Sequence, residues 1–481
     1  MGYLVIQMSN TEDIVKALTP VNDWVWYVAF VFLVGLGLFF TYKIKFLQIL
    51  KLKETSSLAL SGSSEGKRTH KITSFEAFCI GLGARIGVGN IAGVASAIVL
   101  GGPGAVFWMW IFAIIGSGSS FMESTLAQIY KEKKSDGNFH GGPAYYATKG
   151  LKNRKLGVLL AFLTVITFGI GFVGVQASNA SSALVGAYSF DHAEVIYGAI
   201  IAIAAAAIIF GGLKKIGKFS SKIVPIMALI WIIFAIVAIC FNIGNLGNAI
   251  SMIFVDAFSA PSLIGGALGT VIMSGLRRGV FSNEAGLGSV ANIASTADTK
   301  HPVKQGMIQS FGVLVDTLIV CTITALVILS YGSYESIMAL GLTKSQLVQA
   351  VVASTPFGDA AKYIIAGFMM VFAFTSLIGY YTMSESNIRF IKDDKKVVFA
   401  IRVLIIAVAF ISCVLGADLM EIVCDTFMAA MGAVNMIAVA LLSKKVYEAY
   451  KDYCDQKKNG IEEPEFHRDV LSNNEGVTEW E

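Results

Sequence analysis

Apolar residues along this chain are gathered into long runs, separated by short polar patches. The runs fall at about 23–42, 73–100, 105–130, 156–187, 194–212, 221–243, 262–290, 306–331, 358–388, 397–417 and 422–443. Crossing a hydrocarbon core of about 30 Å takes roughly 20 residues of helix. In lipid every backbone N–H and C=O must be paired within its own segment, so such runs predict spanning helices. A transmembrane β-barrel would show short alternating segments instead. The pattern therefore predicts an all-α polytopic membrane protein with about eleven transmembrane helices.

The polar patches give the orientation. Lys43, Lys45, Lys51, Lys53, Lys67, Arg68 and Lys71 fill the first loop, and Lys131, Lys133, Lys134, Lys149, Lys152, Arg154 and Lys155 fill the third. Later alternate loops carry Lys214, Lys215 and Lys218, then Lys300 and Lys304, then Arg389, Lys392, Lys395 and Lys396. By the positive-inside rule these loops are cytoplasmic, with residues 1–22 outside and the tail 444–481 inside. That tail is polar and mixed in charge, and it reads as a mobile end dispensable for chemistry.

Composition agrees with the pattern: 55% of residues are hydrophobic and 15% charged, and the mean hydropathy is +0.68. The six cysteines lie mostly inside apolar runs without a CxxC pair, as small buried hydrophobes. The five histidines are scattered and assemble no local metal-site spacing. Glu12, Asp13 and Lys16 leave no signal-peptide pattern at the start, so Trp24 to Tyr42 is the first expected anchor.

Two runs differ from the rest. Gly81-Leu82-Gly83-Ala84-Arg85-Ile86-Gly87-Val88-Gly89-Asn90-Ile91-Ala92-Gly93 is too rich in glycine to be a good continuous helix. Ser274-Gly275-Leu276-Arg277-Arg278-Gly279-Val280-Phe281-Ser282-Asn283-Glu284-Ala285-Gly286 repeats Arg-x-Gly-Val, Asn and Ala-Gly in the same order with one residue inserted. Each copy opens a set of five runs, 73–243 and 262–443, and an odd number places the second set upside down relative to the first. The run 23–42 is then an N-terminal addition. Glycine-broken helices at matching places in inverted repeats point to a transporter's central binding site.

Such a break suits a zwitterion. A helix starting in mid-membrane aims free N–H groups at a carboxylate, and the freed carbonyls can coordinate a cation. Gly87 and Gly89 permit the break and close approach of a ligand, and Asn90 adds an amide. Taken alone, the glycines read as helix-packing contacts; the repeat and Asn90 favour the site.

Gly101-Gly102-Pro103-Gly104-Ala105-Val106-Phe107-Trp108-Met109-Trp110-Ile111 resembles a signature of the alanine or glycine:cation symporter family. So do Arg85 to Ala95, Arg278 to Gly286, Gly142-Pro143-Ala144-Tyr145-Tyr146 and Phe374-Thr375-Ser376, so that the likeness runs from about 23 to 445. The family is similar to LeuT-fold sodium-coupled transporters, whose broken first helix reads Gly-x-x-x-Gly-x-Gly-Asn, as Gly83 to Asn90 does here. The resemblance implies that Val88 and Gly89 N–H groups face a substrate carboxylate, with Asn90 close by. It implies a sodium site of the Gly83, Ile86 and Phe372 carbonyls with the Thr375 and Ser376 hydroxyls. Gln176 matches a glutamine lining the amino-acid pocket, and a broken stretch around Met273, Ser274 and Gly275 is expected to supply carbonyls to the ammonium. Where the family has Trp or Asn after Gly379, this chain has Tyr380, a wall of the pocket that bears on selectivity.

The residues themselves leave other readings open. Gln176 alone would be an interhelical hydrogen bond, Thr375 and Ser376 could back-bond within their helix, and Trp108 and Trp110 read as belt or packing residues. Arg85, Arg277, Arg278, Glu284 and Asp316 are costly at membrane depth and are candidates for coupling or gating. Only Asp316 or Glu284 among them could support proton coupling. A channel would want a filter or charged ring, and an intramembrane enzyme a nucleophile with its base; the chain displays neither pattern. The expectation is a monomeric, non-enzymatic symporter in a bacterial or archaeal cytoplasmic membrane. It takes a small neutral amino acid, alanine or glycine, with Na⁺ as coupling ion, and no other cofactor or nucleic acid. A larger neutral amino acid such as serine or glutamine, or coupling to protons, is the alternative.

Overall fold

The computed structural model describes residues 2–61, 71–259 and 269–481, with side chains from residue 13 onward apart from Ser61. Among these residues the regular structure is helical except for one short antiparallel hairpin, Glu132–Lys133 paired with Phe139–His140, and one isolated bridge, with turns and loops between the helices. Helix α1 spans Gly2–Lys43, α2 Ser74–Arg85, α3 Ala92–Gly101 and α4 Ala105–Ile129. Then come α5 at Arg154–Ala187, α6 at Ala193–Ile209, α7 at Gly212–Phe241 and α8 at Leu246–Ala257. Thr270–Asn283 forms α9, Ser289–Ala294 α10 and Pro302–Leu329 α11. The last three are α12 (Ala360–Ile391), α13 (Lys395–Leu415) and α14 (Ala417–Lys458).

Eight of these, α1, α4, α5, α7, α11, α12, α13 and α14, are long and apolar enough to cross a membrane. Two of the expected spans are broken: 73–100 becomes α2 and α3, and 262–290 becomes α9 and α10, its first seven residues lying outside the described ones. Lys67 and Arg68 of the first basic loop also lie outside them. The surface has the chemistry of a lipid-facing wall. On α7, Ile226, Leu229, Ile230 and Ile233 are exposed while Val224, Trp231 and Ala235 face inward, a stripe at helical period.

Local chemistry sets the helix ends. Thr73 and Glu76 form a capping box at the start of α2, with Thr73 Oγ1 accepting from Glu76 N–H at 3.1 Å and Glu76 Oε2 from Thr73 N–H at 2.9 Å. Asp394 caps α13 by accepting from Lys396 and Val397 N–H. Both α5 and α11 widen into π turns, at Val165–Phe172 and Val315–Cys321. Such turns interrupt the regular ladder and are common at functional sites.

The structure departs from the sequence reading in three places. Helix α1 runs unbroken from Gly2, through Pro20, rather than beginning near Trp24. The unwinding expected around Met273, Ser274 and Gly275 is absent: these residues sit inside α9, where Gly275 packs against Trp108 and the Ala105 carbonyl. The break comes later, between α9 and α10, because the left-handed Glu284, Gly286 and Gly288 (φ 57°, 81° and 78°) cannot continue a right-handed helix. Finally, α14 extends to Lys458, and the tail beyond it is packed: Phe466, Leu471, Val477 and Trp480 are buried.

Small residues let the helices approach. A Cβ on Gly306 of α11 would lie 2.1 Å from Thr125 Oγ1 and 2.9 Å from the Phe121 carbonyl of α4. We expect Gly306→Ala to destabilise the bundle by about 1–3 kcal/mol through overpacking and Gly306→Leu to yield no monodisperse protein. Thermal unfolding in detergent, followed by size-exclusion chromatography, checks both.

Candidate functional site

Breaking a helix exposes its last carbonyls and the next segment's first N–H groups, and at membrane depth each needs a partner. At the first break the partners are side chains from two other elements, α12 and α5, together with Asn90 of the break itself. The Leu82 carbonyl accepts from Ile86 N–H at 2.7 Å. Ser376 Oγ donates to the Gly83 carbonyl at 2.9 Å, and Tyr380 Oη to the Ala84 carbonyl at 3.0 Å. Both belong to α12, one turn apart, so a single face of that helix caps the end of α2. Asn90 Oδ1 accepts from Gly87 N–H at 2.9 Å, and Gln176 Oε1 of α5 accepts from Val88 N–H at 2.9 Å. Gln176 Nε2 then donates to Tyr380 Oη at 3.1 Å, closing the ring.

These side chains are shut away from solvent: Asn90, Ser376, Gln176 and Tyr380 are at most 1% exposed. Gly87 is as tight as its place requires, since a Cβ there would lie 2.6 Å from both Gln176 Nε2 and Ser376 Oγ. Aromatic rings cover the break. Phe172 stacks on Phe168 and Phe281 at 4.7 and 4.8 Å and lies 5.2 Å from Tyr380, while Phe281 lies 3.1 Å from a Cβ built on Gly89.

Of the oxygens expected at a sodium site, the Gly83 carbonyl and the Ser376 hydroxyl meet across α2 and α12, while Phe372 and Thr375 bond to one another within α12. Thr375 Oγ1 donates to the Phe372 carbonyl at 3.0 Å, and Ser376 joins the Gly83 carbonyl from the same helix face. Thr375 thus back-bonds within α12, as the alternative reading held, while standing beside Gly83, whose Cβ would lie 3.5 Å from its Cβ. Hard oxygen ligands of this kind match an alkali cation.

The five intramembrane charges divide into two groups. Arg277 pairs with Asp23 of α1 at 2.7 Å, and Arg278 with Asp425 of α14 at 3.1 Å, its guanidinium 5.5 Å from the Phe281 ring. Arg85, Glu284 and Asp316 are instead central and fully buried. Arg85 Nε donates to the Asn283 carbonyl at 2.8 Å, so the last residue of α2 caps the last residue of α9. Its other nitrogens reach the Gln309 carbonyl and Ser120 Oγ, each at 3.1 Å.

Asp316, in the π turn of α11, links both breaks. Oδ1 accepts from Asn90 Nδ2 at 2.7 Å, and Oδ2 from Ser282 Oγ at 2.7 Å and Thr317 Oγ1 at 3.1 Å. Two further residues of the second break were not singled out from the sequence, Glu123 and Asn435. Glu123 Oε2 accepts from Gly288 N–H at 2.8 Å and from Asn435 Nδ2 at 3.0 Å, and Asn435 also caps the Gly286 carbonyl at 2.8 Å. A glutamate and an asparagine inside apolar runs were the available signal. Removing the hub exposes its importance: Asp316→Ala leaves the Asn90 amide and the Ser282 hydroxyl with only the weak Cys321 Sγ acceptor, at 3.3 and 3.1 Å, whereas Asp316→Asn keeps an oxygen. The alanine variant should be less stable than the asparagine variant by about 1–3 kcal/mol, read as the difference in their unfolding midpoints.

Comparison with known proteins fits this geometry. The profile described as the sodium:alanine symporter family matches residues 11–468. A Bacillus subtilis protein named probable sodium/glutamine symporter GlnT is 45% identical over 460 residues, covering 95% of this chain and 94% of that one. The sodium/alanine symporter AgcS of Methanococcus maripaludis is 36% identical over 455 residues, covering 93% and 99%. Among solved structures, MhsT in complex with L-phenylalanine superposes with a TM-score of 0.59 at 14% identity, over 78% of this chain and 90% of that one. The architecture is therefore the LeuT-like fold of a secondary transporter, not an enzyme, and this chain is a member of the sodium:alanine symporter family.

Proposed function

We propose that the protein is a sodium-coupled symporter carrying a small neutral amino acid, alanine or glycine, into the cell by alternating access. The observation that carries this reading is the ring at the first break, in which Val88 N–H, Gln176, Tyr380 and Ser376 satisfy one another and the α2 carbonyls. Each is a donor or acceptor that a zwitterion can take over. A substrate carboxylate replaces Gln176 Oε1 as the acceptor for Val88 N–H, with Gly89 N–H beside it at the positive end of the helix start. Asn90 holds the loop that presents them. When sodium binds, the Thr375 and Ser376 hydroxyls stay protonated but rotate their hydrogens away from the Phe372 and Gly83 carbonyls, so that hydroxyl lone pairs and the freed carbonyls, with that of Ile86, face the ion.

Coupling follows from position. Gly83 sits two residues before Arg85 and Val88 three after it, so one short unwound segment serves cation and substrate. Binding either preorganises that segment for the other, and the linkage is reciprocal. The two sets of five spans, inverted relative to one another, rock about the breaks, with the N-terminus outside and the C-terminus in the cytoplasm of a bacterial or archaeal cell. Arg278–Asp425 and Arg277–Asp23 serve as gating pairs. The protein works as a monomer.

A second reading, glutamine as substrate, is favoured by the 45% identity to a protein named a probable sodium/glutamine symporter. Tyr380 decides between them, since its ring and hydroxyl wall the space beside Gln176.

Uptake of labelled alanine and, in parallel, of labelled glutamine into proteoliposomes under an inward sodium gradient tests the reading, with unlabelled glycine and glutamine as competitors and a proton gradient applied separately. Sodium-driven uptake competed by glycine supports the first reading, competition by glutamine alone the second, and uptake of neither amino acid under either gradient sinks both. Asn90→Ala and Gln176→Ala should lower the rate at limiting substrate by at least about tenfold, the equivalent of about 1.4 kcal/mol of binding. Thr375→Ala should raise the sodium concentration for half-maximal uptake by a similar factor.

A further inference from the structure

The chain beyond Lys458 is tied to the bundle at both of its ends. Phe466 N–H donates to the Lys300 carbonyl at 3.0 Å, and its ring packs at 5.3 Å from both His301 and Trp480. Lys300 Nζ pairs with Glu463 and Glu465. At the other end Trp480 Nε1 donates to the Gln128 carbonyl at 2.9 Å, and the indole is 8% exposed. Arg468 N–H donates to the Glu481 carbonyl at 3.0 Å, closing the segment into a loop, while Lys149 Nζ holds Thr478 Oγ1 and Lys152 pairs with Glu475.

What the segment touches is the place where the two broken helices meet. Gln128 Nε2 donates to the carbonyls of Ala294, the last residue of α10, and of Ala297. Lys131 Nζ donates to the Ala297 carbonyl at 3.1 Å and to Gln128 Oε1 at 2.8 Å. The same ammonium lies 4.6 Å from the Trp480 ring and 4.3 Å from that of Phe139. Ala297 in turn bridges Ile72, and Asp298 N–H donates to the Ile72 carbonyl at 2.9 Å, one residue before the cap of α2. Lys71 adds an ion pair to Asp298 at 3.1 Å. A continuous chain of polar contacts therefore runs from Trp480 through Gln128, Lys131 and Ala297 to the start of α2.

We propose that residues 459–481 are a strap that clamps the start of α2 to the end of α10 and must release before this face of the transporter opens. The proposal rests on the alternating-access reading above. An opening on this side has to separate Ile72 from Ala297, and the Trp480 indole, seated on Gln128 and Lys131, holds the residues that fasten Ala297. The strap itself makes several exposed ion pairs, which are individually weak; its grip comes from four buried apolar side chains and a few hydrogen bonds, so it can detach without unfolding the bundle.

Hydrogen–deuterium exchange on the purified full-length protein tests this without requiring transport. Trp480→Ala should speed amide exchange about fivefold or more in residues 71–78 and 294–301, with α9 and α12 unchanged. Trp480→Phe, which keeps a ring over Lys131 but loses the indole N–H, should give a smaller increase. Unchanged exchange at 71–78 in Trp480→Ala overturns the proposal. In proteoliposomes, Trp480→Ala and a chain ended after Lys458 should both change the initial uptake rate at least about twofold; a rate equal to the parent's removes the gating role. If no form transports, the functional reading fails, while the exchange result still decides whether the strap clamps α2.

Discussion

The rest of this structure depends on one constraint: a backbone group inside a membrane has no water to turn to. A continuous helix meets it automatically, and a broken helix cannot. Two breaks near the middle of the bundle therefore draw in side chains from every neighbouring element. Ser376 and Tyr380 take the freed carbonyls of α2, Gln176 and Asn90 take the freed N–H groups after it, and Glu123, Asn435 and Arg85 do the same for the second break. The polar interior of an otherwise apolar protein is largely the set of groups that this demand requires.

The capping groups are also the groups a ligand needs. A carboxylate can stand in for an amide oxygen as acceptor, and an alkali ion can take the place of a hydroxyl's donated hydrogen bond once that hydroxyl turns its lone pairs toward it. On the proposed reading, a site that satisfies itself when closed can hand the same groups to a zwitterion and a cation. Closing it around either spares the buried polar groups the penalty they would meet if left unpaired. The breaks are bonded to one another as well, through Arg85 to Asn283 and through Asp316 to both Asn90 and Ser282. A change at one is thus felt at the other by direct contact, the physical requirement for a two-state element.

Much of this was legible in the sequence, and the reasons are particular. Hydrophobic runs located the spans because lipid imposes a length, and the glycines of 81–93 announced the first break because no ordinary helix tolerates so many. Asn90 stood out as an amide beside those glycines, while Gln176, Ser376 and Tyr380 were pointed to by the resemblance to a known family, and the structure brings the four together. The second break was misplaced by about ten residues. Met273 to Gly275 look like helix-weakening residues, yet Gly275 serves close packing on α4, whereas the stopping point is a left-handed Glu284 whose conformation no local pattern announces. Glu123 and Asn435 escaped notice because their partners lie over a hundred residues away in the chain. The tail was misjudged for a related reason: its composition is that of a disordered end, and only the fold presents the receptors for Phe466 and Trp480.

The contact between Asp316, Asn90 and Ser282 has a meaning for the reading of variants as well as for mechanics. One carboxylate accepts from the first break with one oxygen and from the second with the other. None of the three positions can drift alone without stranding a buried partner. A substitution at any one of them is therefore to be judged by its effect on both breaks, joined as they are through a residue in α11 that belongs to neither.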